Sequence, residues 1–334
     1  MANSGQRIAD GGERIVPWTG SEILLGVFLT AFFWPSLAQA TLQGIGFFRW
    51  YYVPDAVAVA QSKDSDPDER RQALSRMGLW SIALASPLQV LTIPLLFASM
   101  SGTRPDQLGL TRRRLGRNVL AGLLGTLVLT PVVLGIYQLV QYLMLRAGSG
   151  TVEQHGLTIA AAQHLSGIEW ALLVFTATIA APVSEEVMFR GAVQPWLTVR
   201  PWGSPLAMLG ALALTIWQRA DHLAEACSQG MESLAAASIP VLFVLALVPI
   251  YALVWWRSRT PLGPAIFGTA ALFASVHASV WPTPIPLFVL ALGLGVLAHR
   301  TRSLVGPIVL HGTFNGVSCV QLLVEMYRRL QMGA

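Results

Sequence analysis

Long apolar runs, separated by short polar stretches, recur along the chain. A helix needs about 20 apolar residues to cross the ~30 Å hydrocarbon core of a bilayer, so such runs predict membrane-spanning helices. The fifth run is too short for an untilted crossing. The pattern predicts an all-α polytopic membrane protein, a bundle of about eight to nine transmembrane helices. The predicted spans are Glu22–Gln43, Met77–Met100, Asn118–Leu145, Ile168–Leu197, Ser204–Trp217, Ala235–Trp256, Pro264–Val280, Leu287–His299 and Leu304–Tyr327.

The composition agrees with this interpretation. The 334 residues are 54% hydrophobic and 12% charged, whereas soluble domains carry about 25% charged residues. Arginines that flank the apolar runs give the net charge of +5, a pattern of membrane-facing loops rather than of a nucleic-acid interface. We therefore expect a multi-pass protein of the plasma (inner) membrane, with the lipid bilayer and not nucleic acid as its partner. The Arg-rich, linker-poor sequence indicates a bacterial source.

The arginines also predict an orientation. The loop 103–117 contains Arg112, Arg113, Arg114 and Arg117, and such clusters mark the cytoplasmic side. The basic loops 257–262 and 300–303 then lie on the same side. The loop 47–77 carries five basic residues on the opposite side, so we expect part of it to lie along the membrane interface.

One segment brings charge into the fourth predicted span. It reads Ser-Glu-Glu-Val-Met-Phe-Arg over residues 184–190, and each ionisable side chain near a bilayer centre costs roughly 2.5–3.5 kcal/mol on insertion scales. Glu186 and Arg190 have the i,i+4 spacing of an ion pair on one helix face. Glu185 points about 100° away, which leaves its carboxylate as a candidate general base. The plainer alternative is a helix that simply ends in charge at the interface.

Two later spans offer further polar groups. Phe273 and His277 share one helical face of the seventh span, and His311 and Asn315 share one face of the ninth. A lone intramembrane histidine is usually a packing residue. Three helices that each present a His or Glu favour a shared site, since intramembrane polar residues normally partner one another.

These residue types suit amide hydrolysis. Glu185 with His277 can orient and deprotonate a water, and His311 with Asn315 can donate hydrogen bonds to the developing oxyanion. The alternative is zinc, held by Glu185, His277 and His311 with a water in the open position. No HExxH spacing occurs in the sequence, and Asn is a poor zinc ligand, so we expect that no cofactor is required.

The three motifs together resemble a known family. Glu-Glu-x-x-x-Arg at 185–190, Phe-x-x-x-His at 273–277 and His-x-x-x-Asn at 311–315 occur in the order found in the CPBP family. This family includes CAAX prenyl endopeptidases of the Rce1 type and bacterial bacteriocin-processing and self-immunity proteins. The resemblance covers roughly residues 168–325. It implies an intramembrane endopeptidase that acts on a peptide or membrane-protein substrate.

The resemblance also implies roles for individual residues. The residues matching Glu185 and His277 activate water, and those matching His311 and Asn315 bind the oxyanion. Supporting roles fall to Glu186, Arg190 and Phe273. A glutamate-type mechanism without a required metal is implied.

The predicted organisation has three parts: a cytoplasmic tail (1–16), N-terminal transmembrane helices (17–167) that include the basic loop 103–117, and a catalytic CPBP-like core (168–334). The core departs from the family by an extra two-span insertion at about 202–262. Two added crossings return the chain to the same side, so His277 can still face Glu185. His222, inside the insertion, is an alternative second histidine.

Two rival functions remain open at this stage. One is a catalytically silent scaffold or immunity protein of the same family, which would not need the costly polar set. The other is a proton-coupled transporter, whose buried Glu and His would relay protons. The sequence shows no internal repeat, which disfavours a transporter.

Overall fold

The computed structural model describes residues 16–52, 58–60, 62, 64, 66–146 and 165–332. All regular structure in these ranges is helical. The predicted cytoplasmic tail lies outside them, apart from Val16. The helices are α1 (Gly20–Gly44), α2 (Phe47–Tyr51), α3 (Pro67–Ser101), α4 (Leu115–Arg146), α5 (Gly167–Val199), α6 (Gly203–Gln218), α7 (Ala220–Gln229), α8 (Met231–Arg257), α9 (Leu262–Ser275), α10 (Pro284–Thr301) and α11 (Val305–Met332).

The chain is an all-α polytopic membrane protein, as the sequence predicted. Among the described residues, seven helices are long and apolar enough to cross a bilayer, namely α1, α3, α4, α5, α8, α10 and α11. The shorter helices α6 and α9, of 16 and 14 residues, complete the nine predicted apolar elements. In α4 only 11% of the most apolar window is buried inside the protein. Its remaining apolar side chains suit contact with lipid.

Two local predictions were wrong. The polar stretch 218–233, between the predicted spans Ser204–Trp217 and Ala235–Trp256, was expected to be a loop, but it contains α7, an amphipathic helix in which only Ala226 is buried. The seventh span was predicted to continue to Val280. Instead α9 ends at Ser275, and the N–H groups of His277 and Ala278 bond to the carbonyls three residues earlier. The apolar run continues past this point in turns, so hydrophobicity alone did not mark the end of the helix.

Three segments of the long helices are π-helical: Leu29–Phe33 in α1, and Thr176–Ala180 and Val187–Val193 in α5. Such insertions are rare and frequently occur at functional sites. In each segment, a side chain from another part of the chain donates to a backbone carbonyl. Gln89 bonds Thr30 O at 2.8 Å, Asn315 bonds Ala177 O at 2.8 Å, and Trp18 bonds Ala192 O at 3.1 Å. The irregular turns are thus tied to neighbouring elements.

Small residues let α11 approach its neighbours closely, as is common between membrane helices. A Cβ at Gly122 of α4 would lie 2.6 Å from the carbonyl oxygen of Gly306. A Cβ at Gly312 would collide with the carbonyl oxygen of Thr178 in α5. Gly312 lies between His311 and Asn315, so this contact holds the part of α11 that carries both polar residues against α5.

The connection between α3 and α4 carries the arginine cluster and packs against α5. Leu108 is fully buried against Val187 and Ala192, and Gly109 O accepts a hydrogen bond from the N–H of Leu304. The connection between α10 and α11 therefore lies at the same end of the bundle, as the arginine pattern predicted. In the exposed pair at this end, the Arg104 guanidinium lowers the pKa of Asp106.

An ion pair between Arg76 and the buried Glu169 lies at the opposite end of the bundle. Arg76 donates three hydrogen bonds to the fully buried Glu169, at 2.9, 3.1 and 3.2 Å, and the Tyr52 hydroxyl donates another at 2.7 Å. Burial and the bond to Glu169 raise the pKa of Tyr52 above its usual value. Arg76 belongs to the loop 47–77 that contradicted the orientation rule. Its charge is matched here by Glu169 rather than presented to lipid headgroups.

Candidate active site

The two acidic residues of the motif lie in α5 at the junction between an α-helical turn (Ala181–Glu186) and the second π-helical segment. Glu186 is fully buried, whereas the side chain of Glu185 is 30% exposed. Arg190 is also fully buried, and its Nη1 donates to Glu186 Oε1 at 2.9 Å. The ion pair expected from the i,i+4 spacing is therefore present, and Glu185 is left on the more open side of the helix.

His311 joins both carboxylates. Its Nδ1 lies 2.9 Å from Glu186 Oε1, and its Nε2 lies 3.8 Å from Glu185 Oε2. A carboxylate oxygen accepts hydrogen bonds, so Nδ1 carries the proton that is shared with Glu186. The ring is thereby fixed in orientation, with Nε2 directed at Glu185. The sequence had indicated Glu186 only as a partner of Arg190, and the bond to His311 was not predicted.

The buried guanidinium of Arg190 is held on several sides. Its Nη2 donates to Ala291 O in α10 at 3.3 Å. Its central carbon lies 4.6 Å from the centre of the Phe273 ring, within range of a cation–π interaction. A buried charge is tolerated when it is paired and hydrogen-bonded. Arg190 thus links α5, α9 and α10 around Glu186.

Phe273 connects the two histidines. Its ring centre lies 5.2 Å from that of His277 and 5.7 Å from that of His311. His277 was predicted inside the seventh span, but it lies in the turn just after α9, where its Nδ1 is 3.0 Å from Phe273 O. Since a carbonyl oxygen only accepts, Nδ1 is the donor and Nε2 of a neutral ring keeps its lone pair. His277 is partly exposed, as Glu185 is.

Asn315 lies one turn beyond His311 on α11. Its amide nitrogen donates to Ala177 O at 2.8 Å, and an amide has two N–H groups. One of them is thus used to hold α11 against α5, and the second is available to another acceptor. The predicted partner residues of the oxyanion, His311 and Asn315, both contact α5 within the same region.

Two kinds of contact therefore bring the predicted site residues together. Direct polar contacts link Glu185, Glu186, Arg190 and His311. Ring contacts through Phe273 add His277, and Asn315 adds a bond to α5. The alternative histidine, His222, is exposed on α7. The contribution of Gly312 was missed, although a glycine between two intramembrane polar residues is a recognisable signal of close helix packing.

The zinc alternative named Glu185, His277 and His311 as ligands. Across residues 16–52, 66–146 and 165–332, no group of three His, Cys, Asp or Glu side chains is arranged to hold a metal ion. We therefore derive no step through a metal.

The arrangement suits chemistry on a water molecule. Glu185 Oε2 and His311 Nε2 are 3.8 Å apart, too far for a direct hydrogen bond and close enough for one water to contact both. Glu185 can accept a proton, and His311 is held in place by the Glu186 carboxylate, which bonds the other ring nitrogen. This resembles the order of groups in hydrolases in which a carboxylate fixes the tautomer and orientation of a catalytic imidazole.

Comparison with known proteins identifies this part of the chain. Residues 167–267 and 250–317 match the family described as type II CAAX prenyl endopeptidase Rce1-like. The matched ranges contain all three motifs, and the resemblance predicted from them is confirmed. Searches of the curated proteins and of the solved structures found no match for the chain.

Proposed function

Because this chain is Rce1-like over residues 167–317, we propose that it is an intramembrane endopeptidase in which Glu185 activates the water that attacks a peptide bond. The family is one of membrane proteases, so a peptide is the expected kind of substrate. The observation that carries the proposal is the 3.8 Å separation of Glu185 Oε2 and His311 Nε2, with Glu186 bonded to the far side of the imidazole.

In this proposal, Glu185 is the general base. Its carboxylate is 30% exposed and, within the part of the chain that the structure describes, makes no ion pair with an arginine, in contrast to Glu186, so it can bind a water and take its proton. A positioned acid or base typically contributes about 10²–10⁴-fold to a rate. Glu186 and Arg190 neutralise one another and hold His311. They position the reacting groups without exchanging protons with the substrate.

His277 and Asn315 complete the set. His277 presents Nε2 with a lone pair and assists Glu185 in orienting the water. The oxyanion is bound by the second N–H of Asn315 and by His311 as the imidazolium, which keeps Nδ1–H on Glu186 and has Nε2–H left to donate. Removal of one oxyanion donor typically lowers kcat by about 10²–10³-fold. Both roles agree with those that the family resemblance implies for these residues.

The test is a comparison of the membrane peptides in cells that produce the wild-type protein and the variants Glu185→Gln and Glu185→Ala. Gln keeps the size of the side chain and removes its ability to accept a proton. We expect cleaved peptides that are present in wild-type cells and absent with both variants. The matched control is Glu225→Gln, which makes the same chemical change on exposed α7 and should leave the peptide pattern unchanged.

A peptide pattern that is identical with Glu185→Gln and with the wild type would refute the proteolytic function. A persisting cellular phenotype with both Glu185 variants would then favour the scaffold alternative. The peptides found in this way also serve as substrates for purified protein in liposomes. A quenched fluorescent prenylated CAAX peptide is the first synthetic substrate to try, because of the family name.

A further inference from the structure

One side chain outside the three motifs spans the turn that carries His277. Gln218, the last residue of α6, donates from Nε2 to Ser275 O at 2.8 Å. Its Oε1 accepts from the backbone N–H of Ser279 at 3.1 Å. The two backbone groups lie on either side of His277. A single amide side chain thus joins the end of α9 to the far side of this turn.

The backbone of the turn is held mainly by short-range bonds. Beyond Ser275 the backbone bonds run between residues three apart, at His277, Ala278 and Val280, and such bonds have poorer geometry than those of an α-helix. A helix also ends with carbonyl groups that lack partners within the helix. The Ser275 carbonyl accepts from the N–H of Ala278 and from Gln218, so Gln218 adds a second bond to this carbonyl and, at the same time, fixes the chain after His277.

The position of Gln218 in the fold explains how its side chain reaches this turn. The helices α6 and α9 run side by side in the same direction, because Gly210 faces Leu272 and Ala207 faces Gly268. Both helices are short, and both end at the level of the turn. Gln218 lies between the apolar part of α6 and the polar helix α7. An amide at the buried end of a short membrane helix is costly unless it is bonded, and both of its polar atoms are bonded here.

We propose that Gln218 is a positioning residue for His277. It sets the position of the turn and, through it, the direction of the imidazole Nε2. The segment between α5 and α9 thereby contributes to the site, although it carries none of the predicted catalytic groups. The catalytic consequence rests on the function proposed above. The positioning itself can be measured without catalysis.

The decisive variant is Gln218→Glu. A protonated carboxyl has one O–H donor and one carbonyl acceptor, the same pair that the amide provides, whereas a carboxylate can only accept. It then cannot donate to Ser275 O. Because a Glu side chain has an ordinary pKa of about 4.3, we expect the activity of Gln218→Glu, divided by that of the wild type, to rise as the pH falls from 8 to 4. Gln218→Met has a similar shape with neither group, so its ratio should stay low and independent of pH.

The kinetic test uses purified protein in liposomes and a fluorescent peptide substrate. We expect Gln218→Met and Gln218→Ala to lower kcat by on the order of 10²-fold, the effect of a small misplacement of a reacting group, with KM nearly unchanged. Gln229→Glu is the matched control, since Gln229 lies exposed on α7, where its side chain donates to Glu225 four residues earlier. It should show wild-type kcat at every pH. A wild-type kcat for Gln218→Met, or a Gln218→Glu ratio that does not rise on acidification, would overturn the proposal.

A spectroscopic test separates this inference from the proteolytic function. In protein with ¹⁵N-labelled histidines, the His277 signals can be identified by their loss in His277→Asn. We expect the signature of an Nδ1–H donor in the wild type, and a shifted or broadened signal in Gln218→Met. Identical His277 signals in both would refute the positioning role. If Glu185→Gln still cleaves peptides while Gln218→Met changes the His277 signals, the proposed mechanism fails and the positioning role stands.

Discussion

The side-chain amide of Asn315 donates a 2.8 Å hydrogen bond to the backbone carbonyl of Ala177, a residue 138 positions earlier in the chain. Ala177 lies in a π-helical segment of α5, about two turns before the acidic motif. The bond joins the helix that carries His311 to the helix that carries Glu185. Asn315 therefore holds the site together, in addition to the oxyanion role proposed for its second N–H.

The two roles of Asn315 should appear as two separate effects of Asn315→Ala, one on stability and one on kcat. Loss of the bond leaves Ala177 O without its donor, which should lower the free energy of unfolding by about 1–3 kcal/mol. Loss of the oxyanion donor should lower kcat by about 10²–10³-fold. Thermal unfolding in detergent and peptide cleavage in liposomes measure the two effects.

The control for Asn315 is Gln89→Ala. Gln89 makes the same kind of bond, 2.8 Å long, to Thr30 O in the π-helical segment of α1, away from the acidic motif. It should lose similar stability and keep the wild-type kcat. Equal losses of kcat in the two variants would show that Asn315 acts only through folding.

The pair Glu186 and Arg190 should behave as a buried charge network. Glu186→Leu leaves the buried Arg190 without its carboxylate and should cost about 3–5 kcal/mol of stability. The double variant Glu186→Leu with Arg190→Met removes both charges, so it should recover part of this loss. Activity should not recover, because His311 Nδ1 still lacks its partner at 2.9 Å. Thermal unfolding and kcat, measured on the same samples, test both expectations.

An exposed ion pair provides the contrast. Arg104 and Asp106 are 3.1 Å apart, with side chains 72% and 57% exposed. Exposed pairs contribute little to stability because solvent screens them, so Asp106→Asn should hardly change the unfolding temperature. A destabilisation by Asp106→Asn as large as that by Glu186→Leu would contradict the assignment of Glu186 as the centre of a buried network.

The raised pKa of Tyr52 predicts that the stability of the protein depends on pH. Burial, then the bond to Glu169, raises its pKa above the usual 10.0, so the folded state holds the phenolic proton more tightly than the unfolded state does. This stabilisation is complete below pH 10 and is lost as the pH rises towards the folded-state pKa. The difference in unfolding temperature between wild type and Tyr52→Phe should be constant from pH 7 to 9 and become smaller above pH 10.

The control for Tyr52 is Tyr142→Phe, whose hydroxyl accepts from Arg146 on the half-exposed surface of α4. It should change the unfolding temperature little at any pH between 7 and 11. A Tyr52→Phe difference that stays constant up to pH 11 would mean that the phenolic proton does not contribute in the way described.

The membrane fold and the centre of the site could be predicted because they follow from periodic signals. The span predicted at Ile168–Leu197 is helical over Gly167–Val199, since a continuous apolar run fixes a membrane helix to within a few residues. The contact between Glu186 and Arg190 follows from helical geometry alone. It survives even though the segment after Glu186 is π-helical.

Other features leave no such signal. A π-helical segment changes which carbonyl each N–H bonds, and this change has no counterpart in the apolar pattern of residues 176–180. The bond between Glu186 and His311 joins residues 125 positions apart and depends on how α11 packs on α5. Gln218 was placed at the start of a polar loop, because the sequence shows neither the end of α9 at Ser275 nor the backbone groups that the amide bridges there.

Gly312 gives the sharpest test of that packing. A Cβ at this position would collide with the carbonyl oxygen of Thr178, so Gly312→Ala must push α11 away from α5. His311 and Asn315, which flank Gly312, would move with the helix.

The control is Gly316→Ala. Gly316 lies one turn further along the same face, where a Cβ would meet only Thr178 Cγ2 at the ordinary distance of 3.9 Å. Both changes remove a glycine from a helix and should gain slightly in helix propensity. We therefore expect Gly316→Ala to keep stability and kcat near those of the wild type. We expect Gly312→Ala to lose about 1–3 kcal/mol of stability, as overpacked positions do, and on the order of 10²-fold in kcat, because misplaced catalytic groups react slowly. Equal behaviour of the two variants in unfolding and cleavage assays would show that the approach of α11 to α5 at Thr178 does not position the site.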